Sequence, residues 1–329
     1  MVGIIHIPPA RRAGEREPVV PLISVVTACF NEEENVHLLY ERVKSVFERL
    51  PGYGYEHIFI DNASRDGTVS ALRKLAKCDR SVKVIVNARN FGHIRSPYHA
   101  LLQSSGEATI CLAADLEDPP ELIFDFIKRW EEGYKIVAGV KRSTEDGLVL
   151  RLIRRLAYRV LSRVSSLQLI PNFTGFGLYD RVVVDTLRSI DDSYPYFRGL
   201  VSEIGFEPAY VYFDKPRRTH GKTKNDFFTL FDMAMLGLVK HSRMPMRFAT
   251  LAGFFMSAVS LMIAIGYLVA KLIFWNRFEF GQAPILIGIY FFASVQIFFI
   301  GVLGEYVGAI HTQVRKLPLV VERERINFT

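Results

Sequence analysis

Cysteine is scarce in this chain: its 329 residues include only 3, Cys29, Cys78 and Cys111. Their spacing suits no metal site and two of them fall in apolar strand-like stretches, so reduced, buried thiols in a cytosolic domain are the expectation. No Gly-x-Gly-x-x-Gly follows any strand-like stretch and no Walker lysine motif occurs. Both glycine-loop ways of holding a nucleotide are thereby excluded. Internal repeats and low-complexity tracts are absent. Residues 1–21 lack an apolar core long enough for a secretory signal, and their Pro, Arg and Glu content predicts a disordered lead-in. The net charge is +7 and the pI about 9.2, yet no nucleic-acid recognition motif accompanies it. An anionic membrane surface accounts for that charge better than nucleic acid does.

Charge itself is missing from two windows. None occurs between Arg247 and Lys271, and none between Glu279 and Glu305. Each window is longer than the roughly 20 residues that cross a bilayer, which predicts a transmembrane hairpin with spans at 248–270 and 284–304 and a short outer loop around 276–282. Lys240, Arg243 and Arg247 precede the first span, and Arg315 and Lys316 follow the second. The outer loop offers only Arg277 against Glu279, with Lys271 at the membrane edge. The positive-inside bias then puts both termini in the cytoplasm of a multi-pass protein of the plasma or inner membrane.

What is present upstream is an alternation of short apolar runs and helical periodicity. Strands are expected at 22–28, 57–60, 82–86, 108–113 and 135–140, with helices at 32–50, 68–77, 96–105 and 122–132. Such βαβ alternation predicts an α/β fold with a mostly parallel, Rossmann-like sheet covered on both faces. The expected layout is a cytosolic catalytic domain at 22–225, a juxtamembrane helix at 226–247, the hairpin, and a cytosolic tail at 305–329. Within the first unit, Arg151, Arg154, Arg155, Arg159 and Arg163 recur at helical spacing opposite Leu152, Ile153, Leu156 and Val160. This basic amphipathic helix, 151–163, suits either the headgroup layer of a membrane or a surface of the domain.

Residues 110–121, Ile-Cys-Leu-Ala-Ala-Asp-Leu-Glu-Asp-Pro-Pro-Glu, are the most informative stretch. An apolar strand runs into an acidic cluster at the sheet edge where open α/β folds bind ligands. In an extended chain Asp115 and Glu117, two residues apart, point the same way. Two hard oxygen ligands so placed suit Mg²⁺ or Mn²⁺ shared with substrate phosphates. Asp118 is expected to cap the following helix, with Pro119 at its first position and Glu121 in its first turn. Asn31 and Asp66 have the same capping alternative. A run at 215–224 carries Lys215, Arg217, Arg218, Lys222 and Lys224 around Gly221, a pattern fit for phosphate or simply for solvent.

Four motifs in order resemble family 2 inverting glycosyltransferases, which have the GT-A fold. Residues 23–35 are similar to their opening V-P-x-Y/F-N-E-x-x-N, and 61–68, Asp-Asn-Ala-Ser-Arg-Asp-Gly-Thr, to their D-D/N-G/A-S-x-D-G-T. Residues 89–92 match R-N-F-G, and 114–121 match A-D-L-Q-D-P-P-E. With the hairpin added, the chain resembles the polyprenyl-phosphate sugar transferases, namely dolichol-phosphate mannosyl synthases and bactoprenol glucosyltransferases, over roughly 22–316. The resemblance implies that Phe30 and Glu32 border the nucleoside, that Asp61 contacts base or ribose, and that Ala114 and Asp115 lie at the nucleotide sugar. It implies that Asp115 and Glu117 approach the metal. Arg142, Arg218 and Lys224 then neutralise phosphates, and Asp118 is a candidate orienting group beside Asp115 and Arg142 in catalysis. Lys222 joins Arg151, Arg154, Arg155 and Arg159 on the acceptor and membrane side.

The implied reaction moves a sugar, glucose from a UDP donor as first choice, to a polyprenyl phosphate by metal-dependent inverting displacement on the cytosolic face. Two alternatives stand beside it: a processive polysaccharide synthase, whose Q-x-x-R-W segment is missing here, and a non-catalytic membrane-anchored nucleotide-sugar sensor. The subunit count, a homo-oligomer included, stays open. Three positions depart from the pattern. Ala113 stands where many relatives have the first Asp of D-x-D, Glu117 replaces Gln, and Ala28 replaces Pro. Residues 172–178 are similar to the G-F-R-L segment but lack its arginine.

Overall fold

The computed structural model describes residues 20–142, 170, 173–214, 244–273 and 282–328. Its first half follows the periodicity of the sequence. Strands β1 (Leu22–Cys29), β2 (Gly54–Asp61), β3 (Val82–Asn87) and β4 (Ala108–Ala113) alternate with helices α1 (Glu33–Glu48), α2 (Thr68–Cys78) and α3 (Gly92–Leu102). In α1 the buried residues Val36, Leu39, Tyr40, Val43, Val46 and Phe47 recur at three- and four-residue spacing, so one stripe faces the sheet. The strands are β-branched and buried on both faces, as parallel strands between helix layers must be. Helix α3 begins at Gly92, four residues before its expected start. The Asn90 side chain accepts the Gly92 N–H at 2.7 Å, and Asn62 Oδ1 accepts the Phe91 N–H at 2.9 Å. These bonds satisfy N–H groups that a helix start otherwise leaves unmet.

A 3₁₀ turn (Pro120–Leu122) leads into α4 (Ile123–Glu131), then β5 (Ile136–Lys141), β6 (Phe173–Asp180), α5 (Arg181–Ser189), α6 (Phe197–Glu203) and β7 (Pro208–Phe213). The eight-stranded sheet runs β7-β5-β6-β4-β1-β2-β3-β8. Pairs β1–β2, β1–β4, β2–β3 and β5–β7 are parallel, whereas β6 is antiparallel to both its neighbours. Close approach in the β6 region requires glycine: a Cβ on Gly177 would lie 2.3 Å from the Val137 carbonyl oxygen. One core cluster joins the sheet to α1, α2 and α4; another joins it to α3, α5 and α6. This is the expected α/β arrangement of a mostly parallel sheet between two helix layers.

Helices α7 (Met244–Ile273) and α8 (Gln282–Val314) are long and apolar enough to cross a membrane. Their apolar side chains are not covered by protein: Leu251 is 69%, Phe254 73% and Ile297 70% exposed. Both helices extend beyond the charge-free windows. After α8 the chain returns to the sheet as β8 (Glu322–Ile326), antiparallel to β3. Glu324 pairs with Arg73, Glu322 Oε1 lies 2.6 Å from His99 Nε2, and Asn327 donates to the Ala76 and Val82 carbonyls at 2.7 and 2.8 Å. The strand covers what would otherwise be an open sheet edge. The expected lead-in up to residue 19, the helix at 151–163, residues 226–243 of the juxtamembrane helix and the loop at 274–281 lie outside the described residues.

Burial also sets an acid sensitivity. His57 is wholly buried, stacked on Phe59 with ring centroids 3.9 Å apart and with Nε2 3.0 Å from Thr27 Oγ1. Burial pushes its pKa down to about 3, with the charge of Asp79 opposing. The unfolded chain, with an ordinary value near 6.5, then binds a proton that the native state refuses. Stability from this group is complete above about pH 6.5 and is lost as pH falls towards 3, by about 2 kcal/mol at pH 5. Thermal unfolding of detergent-solubilised protein at pH 5 and 7.5 measures this, and His57→Gln is expected to flatten the difference.

Candidate active site

The strand register builds one rim. Ala28 pairs with Ala113 and Cys29 with Asp61, so the carboxyl ends of β1, β2 and β4 lie side by side. Strand β1 sits between β2 and β4, where the strand order reverses; open α/β sheets bind ligands at such a point.

On the α1–α2 side the rim is a hydrogen-bonded network. Asn31, at φ 55°, donates its N–H to Ser64 Oγ and accepts the Arg65 N–H on Oδ1, both at 2.9 Å. It therefore ties two loops together and does not cap α1, as the capping alternative expected. Asp66 precedes the N-cap of α2, which is Gly67 and has no side-chain cap bond, but its Oδ1 accepts the Thr68 N–H at 3.0 Å. The Glu32 N–H donates to Thr68 Oγ1 at 2.9 Å, and its carboxylate accepts from Asn35 at 2.7 Å. Asp61 is fully buried. One oxygen accepts the Ser64 N–H at 3.0 Å, while Oδ1 has no hydrogen-bond partner among the described residues.

The acidic cluster is organised differently from the expected extended chain. Strand β4 ends at Ala113, and Leu116 adopts φ 59° in the left-handed region. A turn, not strand alternation, brings Asp115 and Glu117 to the same cavity, and the Glu117 N–H donates to Asp115 Oδ1 at 3.2 Å. Asp118 is not a helix cap either. Pro119 is extended, a 3₁₀ turn intervenes before α4, and neither start has a side-chain cap. Instead the Asp118 side chain is buried with Oδ1 3.5 Å from Lys141 Nζ, which also lies 3.6 Å from Glu117 Oε2. Burial pushes the Asp118 carboxyl up to about 6; Lys141 opposes this, and the charges of Asp115 and Glu117 add to it.

These acids form one wall of a cavity of about 420 Å³ on the α3–α6 side of the sheet. His93, Ile94, Pro97, Tyr98, Tyr196, Phe197 and Arg198 supply the facing wall, and Ala28 and Ala113 the floor. Arg198 Nη1 donates to the Phe173 carbonyl at 3.3 Å, and its guanidinium sits 5.6 Å over the Tyr196 ring. Burial, and secondarily the charge of Arg198, lowers the pKa of His93.

Among the expected site residues, Asp115, Glu117 and Asp118 converge on the cavity, and Ala114 is buried beside them. Glu32 and Asp61 belong to the rim on the α1–α2 side, and none of Phe30, Glu32 and Asp61 lines the cavity. Arg142 is largely exposed, its Nη1 3.8 Å from Asp214 Oδ2, with its N–H donated to the Phe213 carbonyl at 2.9 Å. Its neighbour Lys141, which the sequence reading passed over, is the cation that faces the acids. Its signal was position: it closes a strand buried throughout, at the edge where ligands bind. His93 and Arg198 were also missed, and no local pattern marks them. Arg151, Arg154, Arg155, Arg159, Arg218, Lys222 and Lys224 lie outside the described residues.

Residues 24–188 match the glycosyl transferase family 2 model. An uncharacterised glycosyltransferase of Synechocystis is 32% identical over 298 residues, 90% of this chain and 93% of that one. The SfII prophage-derived bactoprenol glucosyl transferase of Shigella flexneri is 32% identical over 298 residues, 90% of this chain and 96% of the relative. A prophage bactoprenol glucosyl transferase homolog of Escherichia coli is 31% identical over the same shares. The acid-lined switch point thus sits within a stretch matched by a family model over half the chain and by relatives across nine-tenths of it: the chain belongs to glycosyl transferase family 2.

Proposed function

We propose that this protein transfers a hexosyl group, glucose first, from a nucleoside diphosphate to a polyprenyl phosphate at the cytosolic face of a membrane. The observation that carries this reading is the match, across nine-tenths of the chain and therefore into the region of α7 and α8, to relatives named bactoprenol glucosyl transferase. A phosphate oxygen of the acceptor forms a bond to the anomeric carbon. The bond from that carbon to the diphosphate breaks, its electron pair leaving with the nucleotide. The acceptor is already largely dianionic near neutral pH, with a second pKa of about 6, so no strong base is required. Charge management and positioning are what remain for the protein to supply.

Phe30, Glu32 and Asp61 hold the nucleoside in this reading. The unmet acceptor Oδ1 of buried Asp61 supports a donor hydroxyl or ring N–H there, since an unpaired buried oxygen costs about 1–3 kcal/mol. Asp115 and Glu117 would hold Mg²⁺ or Mn²⁺. Two hard oxygen donors on one cavity wall fit a cation that completes its shell with substrate oxygens and water. Such an ion, when bound, offsets charge on the departing diphosphate. Arg142, Arg218 and Lys224 are the proposed phosphate cations, and the helix 151–163 the proposed membrane-facing element.

The return of the chain to the catalytic sheet as β8 supports a hairpin, because an even number of crossings is needed to bring β8 back to β3. It also supports a single cytosolic side for residues 22–213 and 322–326. A soluble enzyme would have to extract its acceptor from hydrocarbon at about 0.8 kcal/mol per CH₂; an anchored one does not. The test is a panel of radiolabelled nucleotide sugars with polyprenyl phosphate and the full-length protein, before and after chelation. Label is expected in the lipid extract with one donor, lost on chelation and restored by Mg²⁺ or Mn²⁺. No transfer with any donor, or transfer unaffected by exhaustive chelation, overturns the reading.

A further inference from the structure

Inverting displacement needs its two anions on opposite sides of the anomeric carbon, and the sheet edge offers two sides. The nucleoside loops lie on the α1–α2 side, the cavity on the α3–α6 side, and Asp115 at the rim between them. We propose that Arg198 and His93, on the cavity wall opposite the acids, form the seat for the phosphate monoester of the isoprenoid acceptor; this assignment rests on the function proposed above.

Charge accounting singles out Arg198. The other Lys or Arg among the cavity-lining residues, Lys141, is already offset by Glu117 and Asp118 at 3.6 and 3.5 Å. Among the described residues no carboxylate lies within 4.0 Å of Arg198; its bonding is to the Phe173 carbonyl and its face lies over Tyr196. A guanidinium fixed in this way keeps donors for a phosphate and is pre-organised to use them. The backbone that carries His93 is set independently, because Asn62 holds the first turn of α3 through Asn90 and the Gly92 carbonyl, at 2.9 and 3.2 Å. Its lowered pKa leaves a neutral ring near pH 7 that donates one hydrogen bond. Ile94, Pro97 and Phe197 give the seat apolar flanks for the first isoprene carbons.

The direction of the lipid follows from the other end of this wall. The segment that leads into Tyr196 and Arg198 is held by the base of α8: Gln313 Nε2 donates to the Asp191 carbonyl at 2.6 Å, and Lys316 Nζ lies 3.2 Å from Asp191 Oδ2. An anion on Arg198 is therefore beside the segment docked against the inner end of a proposed membrane helix. A tail from that anion has a short path to the bilayer.

The test measures binding of farnesyl phosphate, inorganic phosphate and UDP to the full-length protein in detergent. Arg198→Gln is expected to weaken farnesyl phosphate by about tenfold or more while UDP binding stays within about twofold. Arg198→Lys is expected to recover part of the loss, and His93→Gln to cost about threefold. Tighter binding of farnesyl phosphate than of inorganic phosphate identifies a lipid headgroup seat; equal affinities make it a site for free phosphate and overturn the acceptor assignment. Unchanged farnesyl phosphate binding in both Arg198→Gln and His93→Gln also overturns it, as does a loss confined to UDP. If wild-type protein binds farnesyl phosphate through Arg198 but transfers no sugar to any polyprenyl phosphate, the reaction proposed above fails and the seat stands.

Discussion

Asp115→Asn is expected to lower sugar transfer by about 1,000-fold, equivalent to about 4 kcal/mol of transition-state stabilisation. The substitution keeps size and hydrogen-bonding reach, so Asp115 Oδ1 can still be replaced by an amide oxygen that accepts the Glu117 N–H. What it removes is one negative hard donor at the meeting point of the two sides of the sheet. The loss is expected in kcat more than in the KM for either substrate, because charge on the diphosphate grows as the glycosidic bond breaks. With Ala113 at the neighbouring position, no second aspartate takes over. Glu117 remains, but it already faces Lys141 at 3.6 Å. The change also removes one of the charges that raise the Asp118 pKa, so folding is expected to be unimpaired, and unchanged thermal unfolding checks that. Retention of more than about a tenth of wild-type kcat would remove Asp115 from any metal-holding role.

The parts of this molecule that sequence could reveal are those whose pattern is local. Parallel strands buried on both faces read as unbroken apolar runs, so β1, β3 and β4 were bounded to within a residue or two. Strand β6 was not, because Gly175 and Gly177 interrupt its apolar run and serve a close approach that exists only in the sheet. Strand β8, Glu-Arg-Glu-Arg-Ile, has no apolar face to announce it. Its side chains find partners in Arg73 and His99, more than two hundred positions earlier. The motifs likewise located Asp61 and Asp115 but not the wall opposite them. His93 and Arg198 come from segments after β3 and α5 that meet only when α3 and α6 pack on the same face. The capping reading of Asp118 was reasonable chemistry for Asp-Pro-Pro-Glu, and it failed because a buried lysine competes for the carboxylate.

That lysine carries the second large prediction. Lys141→Met is expected to lower stability by about 3 kcal/mol and to reduce transfer as well. The side chain is nearly buried, with its ammonium between Glu117 and Asp118 and 5.9 Å from the Phe213 ring. Methionine fills the space of the stem, so the cost is electrostatic and not a cavity. Breaking a buried pair by removing one partner leaves uncompensated charge, which is more damaging than removing both. Asp118, already pushed up to about 6 by burial, responds by taking up a proton near neutral pH, which limits its share of the penalty; Glu117 bears the rest. Lys141→Met combined with Asp118→Asn should therefore recover stability only in part, whereas adding Glu117→Gln should bring it close to wild type, in each case without restoring activity. Arg142→Met provides the contrast: with most of its side chain in solvent and only a 3.8 Å approach to Asp214, it should change stability by less than about 0.5 kcal/mol. Chemical denaturation of the four variants separates the two residues. Equal small losses for Lys141→Met and Arg142→Met would mean that the ammonium is not what holds the acidic wall together.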